Sequence, residues 1–328
     1  MSVGARRAVC GMAALVCALL AGCGTGEMPA SGDAAQELTA PAQEEIAYLF
    51  PVSVEEVEVD IPGMEGEVTI AFLSDLHIVV ADEEVANADR ETVEGRAASF
   101  SVAGIGSAKQ WPYWTDILDD TGSDLILLGG DLVDFASGAN LSVLSEGLKA
   151  LSTDYVYIRA DHDTEPFYLD MEKAGPAPDG LPEPAQDGVF IVERGDYIIA
   201  GWDNSTSQLS DEGYRRIEAA CDKGLPVILL THVPIEPLED TSLAEASRSA
   251  FGGRSLLWGF GDNYYYPEGV TRDLLRLIYA EDTPIVEILA GHLHFTWDGD
   301  VSERTHEHVF GPAFDGHMGI IRLHAVDG

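Results

Sequence analysis

Basic residues are scarce in this 328-residue chain. There are 18 Lys and Arg against 57 Asp and Glu, a formal net charge of -39. So anionic a surface repels nucleic-acid phosphates, which excludes a nucleic-acid-binding role. It also disfavours long-range steering of highly anionic substrates, so a phosphate ligand has to be captured locally. Cysteine is nearly missing too, with 4 in all, at positions 10, 17, 23 and 221. Three of them fall in the first 23 residues, so the domain that follows can hold no internal disulfide. Cys221 sits in a helical pattern and reads as a small buried apolar residue. The early apolar run, residues 12–20, is too short to span a bilayer comfortably. There is no internal repeat and no clear second domain. What the chain does have is a 46% apolar share, enough for a sizeable core.

The N-terminus reads as a secretory signal, with Arg6-Arg7 ahead of the apolar stretch 12–20. It ends in Leu20-Ala21-Gly22-Cys23, which resembles the lipobox of bacterial lipoproteins. The resemblance implies cleavage before Cys23, lipid on its sulfur, and an extracytoplasmic protein anchored to the cell membrane. The expected organisation is a lipoprotein signal peptide over 1–22, a flexible Gly-, Ala-, Pro-, Glu- and Thr-rich tether over 23–45, and one domain over 46–328. In a bacterial protein the sequons at Asn140 and Asn204 carry little weight, and Asn204 reads as a loop residue.

Residues 52–59 alternate like a strand, and 68–73 form a strongly buried one. Residues 79–110 are polar, rich in Ala and Gly, and suggest an insertion. A helix opens at Trp111-Pro112-Tyr113-Trp114 and runs to about 120. Further strands are expected at 125–128, 155–158, 226–230, 285–289 and 318–325, a hairpin across 189–200, and helices at 141–151, 210–223 and 270–280. Residues 176–187 read as a Pro/Gly loop. Strands alternating with helices indicate an α/β fold, and the late hairpin and strands suggest more than one sheet.

A short motif stands just past each of five apolar runs: Asp75-Leu76-His77, Gly130-Asp131-Leu132-Val133-Asp134, Asp161-His162-Asp163, Thr231-His232 and Gly291-His292-Leu293-His294. Strand ends of such folds converge on one crevice. Hard divalent ions that activate water want carboxylate oxygen and imidazole nitrogen. A pair of ions also needs a bridging carboxylate. Asp75, Asp131, Asp161, His77, His232, His292 and His294 supply those groups. Asp134 is either part of such a site or a solvated loop acid. Arg159 offers a phosphate contact or an ion pair with a nearby acid. His306, His308 and His317 fit surface or packing roles. The aromatic cluster from Trp258 to Tyr266 either rims a pocket or packs the core.

The five motifs, in this order, resemble the calcineurin-like metallophosphoesterase superfamily over Asp75 to His294. The resemblance implies a four-layer α/β/β/α sandwich with two mixed sheets and a dinuclear centre of two divalent or mixed-valent ions (Mn, Fe or Zn). It places Asp75, His77, Asp131 and His294 on the first ion. Asp131 becomes the bridge, with Asp161, His232 and His292 on the second. His162 becomes the catalytic histidine that is not a ligand, oriented by Asp134. The implied reaction is hydrolysis of a phosphomonoester or phosphodiester by in-line attack of a bridging hydroxide. The expected partner is a phosphorylated small molecule or envelope component, and the expected state is a monomer. The family pattern has an amide where this chain has Asp161. Three carboxylates plus the hydroxide against two divalent ions make the site formally neutral, which tightens metal binding and weakens attraction for a phosphate dianion. The alternative is therefore a metal- or phosphate-binding lipoprotein with impaired catalysis.

Overall fold

Val57, Val59 and Ile61 are buried while Glu56, Glu58 and Asp60 face solvent, the period-two alternation of a strand with one wet face. This is β1 (Ser53–Pro62) in the computed structural model, which describes residues 50–81, 89–165, 181 and 186–326. The expected signal peptide, the tether and most of the 176–187 loop lie outside the described residues. Next come β2 (Glu67–Leu73), α1 (Arg90–Ser99), the hairpin of β3 (Ser101–Val102) and β4 (Ile105–Gly106), and α2 (Ser107–Asp120). They are followed by β5 (Leu125–Leu128), α3 (Gly138–Ala150), β6 (Tyr155–Tyr157) and the single turn α4 (Asp161–Thr164). The second half holds β7 (Val189–Glu193), β8 (Ile198–Trp202), α5 (Asp211–Cys221), β9 (Val227–Thr231), α6 (Ser242–Ala250) and α7 (Gly269–Ile278). It ends in β10 (Ile285–Ala290), β11 (Trp297–Asp300), β12 (His306–Val309) and β13 (His317–Val326).

Two mixed sheets result, one in the order β1-β13-β2-β5-β6 and one in the order β11-β12-β10-β9-β8-β7. Strand parity assigns each side chain to a layer. Ile70, Phe72, Leu125 and Leu127 of the first sheet meet Ile199, Ile228, Leu230 and Leu289 of the second in a core between the sheets. The alternate residues Ala71, Leu73, Ile126 and Leu128 pack outward on Trp111, Trp114 and Leu118 of α2 and Leu144 and Leu148 of α3. On the far side, Ala200, Val227, Leu229 and Ile288 pack on Ile217 and Cys221 of α5 and Leu274, Leu275 and Ile278 of α7. The order is α/β/β/α. Central strands buried on both faces read as unbroken apolar runs for this reason. Among the described residues no helix is long and apolar enough to cross a membrane.

Three features differ from the sequence reading. The helix expected from Trp111 opens at Ser107, and Pro112 lies inside it. An interior proline costs a helix about 3 kcal/mol, and here the fully buried Trp111 and Trp114 anchor the same turn in the core. The described part of 79–110, which the sequence left without assigned elements, carries α1 and the β3–β4 hairpin. β11 and β12 were not expected. Asp298, Gly299 and Asp300 are poor strand formers, and only pairing with β12 makes them a strand.

Candidate dinuclear metal centre

β2, β5 and β6 are parallel neighbours in one sheet, and β9 and β10 are parallel neighbours in the other. All five motifs therefore leave their strands at the same end. Backbone bonds tie the emerging loops together. Asp75 N donates to Gly130 O (3.0 Å), His77 N to Asp131 O (2.9 Å) and Gly291 N to His232 O (3.1 Å). The motif residues then bend sharply. Asp75, His77, Asp131, His292 and His294 all have positive φ, between 48° and 71°. For residues with a Cβ this conformation costs roughly 1–3 kcal/mol each and collects at functional sites. The bends aim alternate side chains inward. Two glycines make room for them. A Cβ on Gly130 (φ 93°) would lie 2.9 Å from Ala160 Cβ and 3.0 Å from His232 Nδ1. One on Gly291 would lie 2.3 Å from Asp75 Oδ2.

One cluster joins Asp75, His77 and His294. His77 Nε2 and His294 Nε2 face each other at 3.1 Å, and Asp75 Oδ1 is 3.5 Å from His294 Nε2. Asp75 also accepts from His292 N, at 3.1 and 3.0 Å. Burial works against its charge, but the His294 hydrogen bond and the His232 and His294 charges outweigh it and hold the carboxyl at about 2. His77 is fixed through its other nitrogen, Nδ1, which donates to Asp134 Oδ1 at 3.2 Å. Phe100 stacks on its ring at 4.3 Å.

The second cluster joins Asp131, His232 and His292. His232 Nε2 lies 3.1 Å from Asp131 Oδ2 and 3.2 Å from His292 Nδ1. Its Nδ1 donates to Gly129 O at 2.8 Å, which fixes the tautomer and leaves Nε2 as the ligating atom. Asp131 Oδ2 is also 3.7 Å from His77 Nε2, so one carboxylate stands between the two clusters. Asp161 and His162 group with Asp131. Burial and the Asp131 charge push Asp161 upward.

His162 meets Asp134 through the backbone. Its Nδ1 donates to the backbone carbonyl of Asp134 at 2.6 Å. The Asp134 carboxylate is 3.7 Å away, engaged instead by His77 and by the Nε of Arg96 at 2.6 Å. Burial pushes the His162 ring down, but the Asp131 charge, the Asp134 carbonyl and the Asp161 charge more than offset it, leaving the ring raised.

The residues present fit a pair of cations. Asp131 Oδ1 and His292 Nε2 are buried and meet no hydrogen-bond partner among the described residues. A buried carboxylate oxygen without a donor is costly, and a cation is its ordinary remedy. The acids also call for positive charge. Burial opposes protonation of His232, yet Asp131, Asp75 and Asp161 raise it well above its usual value. The donor set of imidazole nitrogen and carboxylate oxygen suits Mn, Fe or Zn.

The remaining candidates fall elsewhere. Arg159 lines a separate cavity of about 270 Å³ with Trp202, Asp203, Thr206, Ser207 and Gln208. His306 and His308 are buried in a chain of acids and imidazoles. Asp300, His306, Asp298, His308, Glu55 and His317 follow one another at 2.8–3.2 Å. That chain spans the edges of both sheets. The aromatic cluster divides: Trp258 is core, Tyr265 packs on the His292 ring at 5.9 Å, and Phe260, Tyr264 and Tyr266 are exposed.

Three supporting residues escaped the sequence reading. Asn204 is fully buried. Its Oδ1 accepts from His232 N (3.1 Å) and Val233 N (2.8 Å), and its Nδ2 donates to Val233 O (2.7 Å). Asp163 accepts from the backbone N–H of Asp131 (2.8 Å), Val133 (3.0 Å) and Ala160 (2.9 Å), so it ties two motifs together. Its place after Asp161-His162 was the available signal. Arg96 had none, because it lies in the stretch without a readable pattern.

No curated protein matches the chain. Solved structures resemble it at low identity. A dimetal phosphatase from Danio rerio is 11% identical, with 76% of this chain and 88% of that one covered and a TM-score of 0.45. A purple acid phosphatase from yellow lupin (Lupinus luteus) seeds is 14% identical, with 78% and 45% covered and a TM-score of 0.45, so the chain spans less than half of that enzyme. GAP50, the anchor in the inner membrane complex of Plasmodium, is 11% identical, with 74% and 71% covered and a TM-score of 0.40. The assignment rests on none of these. The family model described as calcineurin-like phosphoesterase matches residues 68–295, from the second residue of β2 to just past His294, and the chain belongs to that family.

Proposed function

We propose that the protein is a two-ion phosphoester hydrolase. The observation that carries this is Asp131, whose Oδ2 lies between the imidazoles of His232 (3.1 Å) and His77 (3.7 Å) while its Oδ1 is buried without a donor. In this reading Asp75, His77, Asp131 and His294 hold one ion, and Asp131, Asp161, His232 and His292 hold the other. Two such cations, when bound, would supply charge stabilisation for the phosphoryl oxygens and would acidify a water nucleophile.

The chain's own residues set the rest. The Asp134 carbonyl fixes a proton on His162 Nδ1, so Nε2 is the atom that exchanges a proton with substrate. From that nitrogen His162 would donate a proton to the leaving oxygen. Such general acid catalysis typically contributes 10²–10⁴-fold. The buried Phe100 and the half-buried Phe314, with rings 4.3 and 6.0 Å from the His77 ring, form an apolar wall on that side of the site. The substrate is a phosphorylated small molecule or an envelope component. A protein lipidated at Cys23, outside the cytoplasm and monomeric, meets either there.

The test pairs metal analysis with a panel of artificial phosphomonoesters and diesters in Mn²⁺, Fe²⁺ or Zn²⁺. Turnover is expected with at least one metal, and His162→Ala should lower kcat by about 10²–10⁴. A well-folded protein inactive on both ester classes with every metal would sink the proposal. The placement of Asp161 beside Asp131 supports a second reading, a metal-binding protein with impaired catalysis. Two ions per chain without turnover would favour it.

A further inference from the structure

Outer contacts hold the metal ligands in place, and one of them comes from a residue that no motif contains. Arg96 lies in the last turn of α1. Its Nε donates to Asp134 Oδ2 at 2.6 Å, and its Nη2 donates to Asp134 Oδ1. The same Oδ1 accepts from His77 Nδ1 at 3.2 Å. The Arg96 guanidinium carbon sits 4.7 Å from the centre of the Phe100 ring. Phe100 in turn stacks on the His77 imidazole at 4.3 Å, with 7° between the planes. Arg96 thus reaches His77 by two routes, a hydrogen-bonded one through Asp134 and a stacked one through Phe100.

We propose that Arg96 is a positioning residue for the first ion: it locks Asp134 as the acceptor of the His77 Nδ1 proton and keeps Asp134 from becoming a ligand itself. Donor type alone leaves that choice open. An Asp134 oxygen lies within 4.8 Å of ring nitrogens of both His77 and His162, a triad able to hold a cation. The guanidinium fork decides against it. Both carboxylate oxygens are engaged by a bidentate donor, and a cation placed there would face a fixed positive charge. With Asp134 held as an ionised acceptor, the His77 tautomer bearing its proton on Nδ1 is favoured. The lone pair then falls on Nε2, the atom 3.1 Å from His294 Nε2. Arg96 also neutralises a fully buried acid. Asp134 can stay charged without adding a fourth uncompensated carboxylate to a centre that already has three. Outer partners of this kind usually change metal affinity by 10–100-fold.

This inference rests on the two-ion reading, and the experiment separates the two. Metal-free full-length protein is titrated calorimetrically with Mn²⁺ or Zn²⁺, and bound metal per chain is measured independently. The wild type should take up two ions. Arg96→Ala should take up one at wild-type affinity and the other 10–100-fold more weakly. Arg96→Lys keeps the charge but not the fork, and should fall between. The metal-free melting temperature is read alongside and should fall in Arg96→Ala, because the buried Asp134 carboxylate loses its cation. Two ions bound to Arg96→Ala at unchanged affinity would overturn the proposal, and so would equal weakening of both. If Arg96→Ala fails to fold, the same two outcomes in Arg96→Lys decide it. A wild type that binds fewer than two ions overturns the two-ion reading instead, and this inference with it.

Discussion

Removing the Asn204 side chain should damage both the fold and one particular ion site. Asn204→Ala deletes three hydrogen bonds at once, with His232 N at 3.1 Å, Val233 N at 2.8 Å and Val233 O at 2.7 Å. The site is fully buried, and the cavity left is lined by those same orphaned groups. A net hydrogen bond contributes about 1 kcal/mol, and a buried group left without a partner costs about 1–3 kcal/mol. Partial relaxation brings the expected loss to about 3 kcal/mol. A domain of this size shifts by roughly 2–4 °C per kcal/mol, so the metal-free melting temperature should fall by about 6–12 °C. The position of His232 depends on this loop, and His232 belongs to the second cluster alone. Metal titration should therefore show the second ion weakened and the first unchanged, the reverse of the pattern expected for Arg96→Ala. Calorimetric melting and metal titration of one preparation measure both. A fall below about 2 °C with both affinities intact would refute the reasoning, since it would mean the bonds to the His232 loop do not hold it.

The other predictions concern different parts of the molecule. Gly291→Ala puts a Cβ 2.3 Å from Asp75 Oδ2, so it should displace that ligand and abolish first-ion binding, which metal analysis reads directly. His308 is raised to about 9, because its hydrogen bonds to Asp298 and Glu55 and their charges outweigh burial. A histidine raised in the folded state contributes stability that is complete below about pH 6.5 and is lost as pH rises to 9. That contribution amounts to up to about 3 kcal/mol. Urea midpoints of the wild type should fall between pH 6 and pH 9.5, and His308→Gln should flatten the fall. Burial pushes the Cys221 thiol up to about 12, so a thiol reagent at pH 8 should label it only after unfolding.

Much of the fold is written in the apolar runs of the sequence. The expected strands at 68–73, 125–128, 226–230 and 285–289 match β2, β5, β9 and β10 within a residue or two. Their apolar runs are unbroken because helices and sheets cover both faces. β11 stayed hidden because Asp298, Gly299 and Asp300 have no strand preference of their own and acquire the conformation from β12. The start of α2 was misplaced because Pro112 looks like a first-turn residue until the packing of Trp111 and Trp114 is seen.

The sequence by itself determined the donor atoms and the direction from which they arrive. Asp and His just past buried parallel strands can only gather at one sheet edge, whatever the helices do. Tertiary structure alone decided which donors face each other and what holds them. It put five motif residues at positive φ, a conformation no residue type announces. It gave the Asp134 carboxylate to His77 and its carbonyl to His162, a division invisible in the letters Gly-Asp-x-x-Asp. It also brought Arg96 and Asn204 to the centre from segments with no motif. The physical reason is that ligand identity is local chemistry, written residue by residue. Orientation is set by hydrogen bonds and close contacts between segments far apart in the chain, and no short stretch of sequence contains both partners.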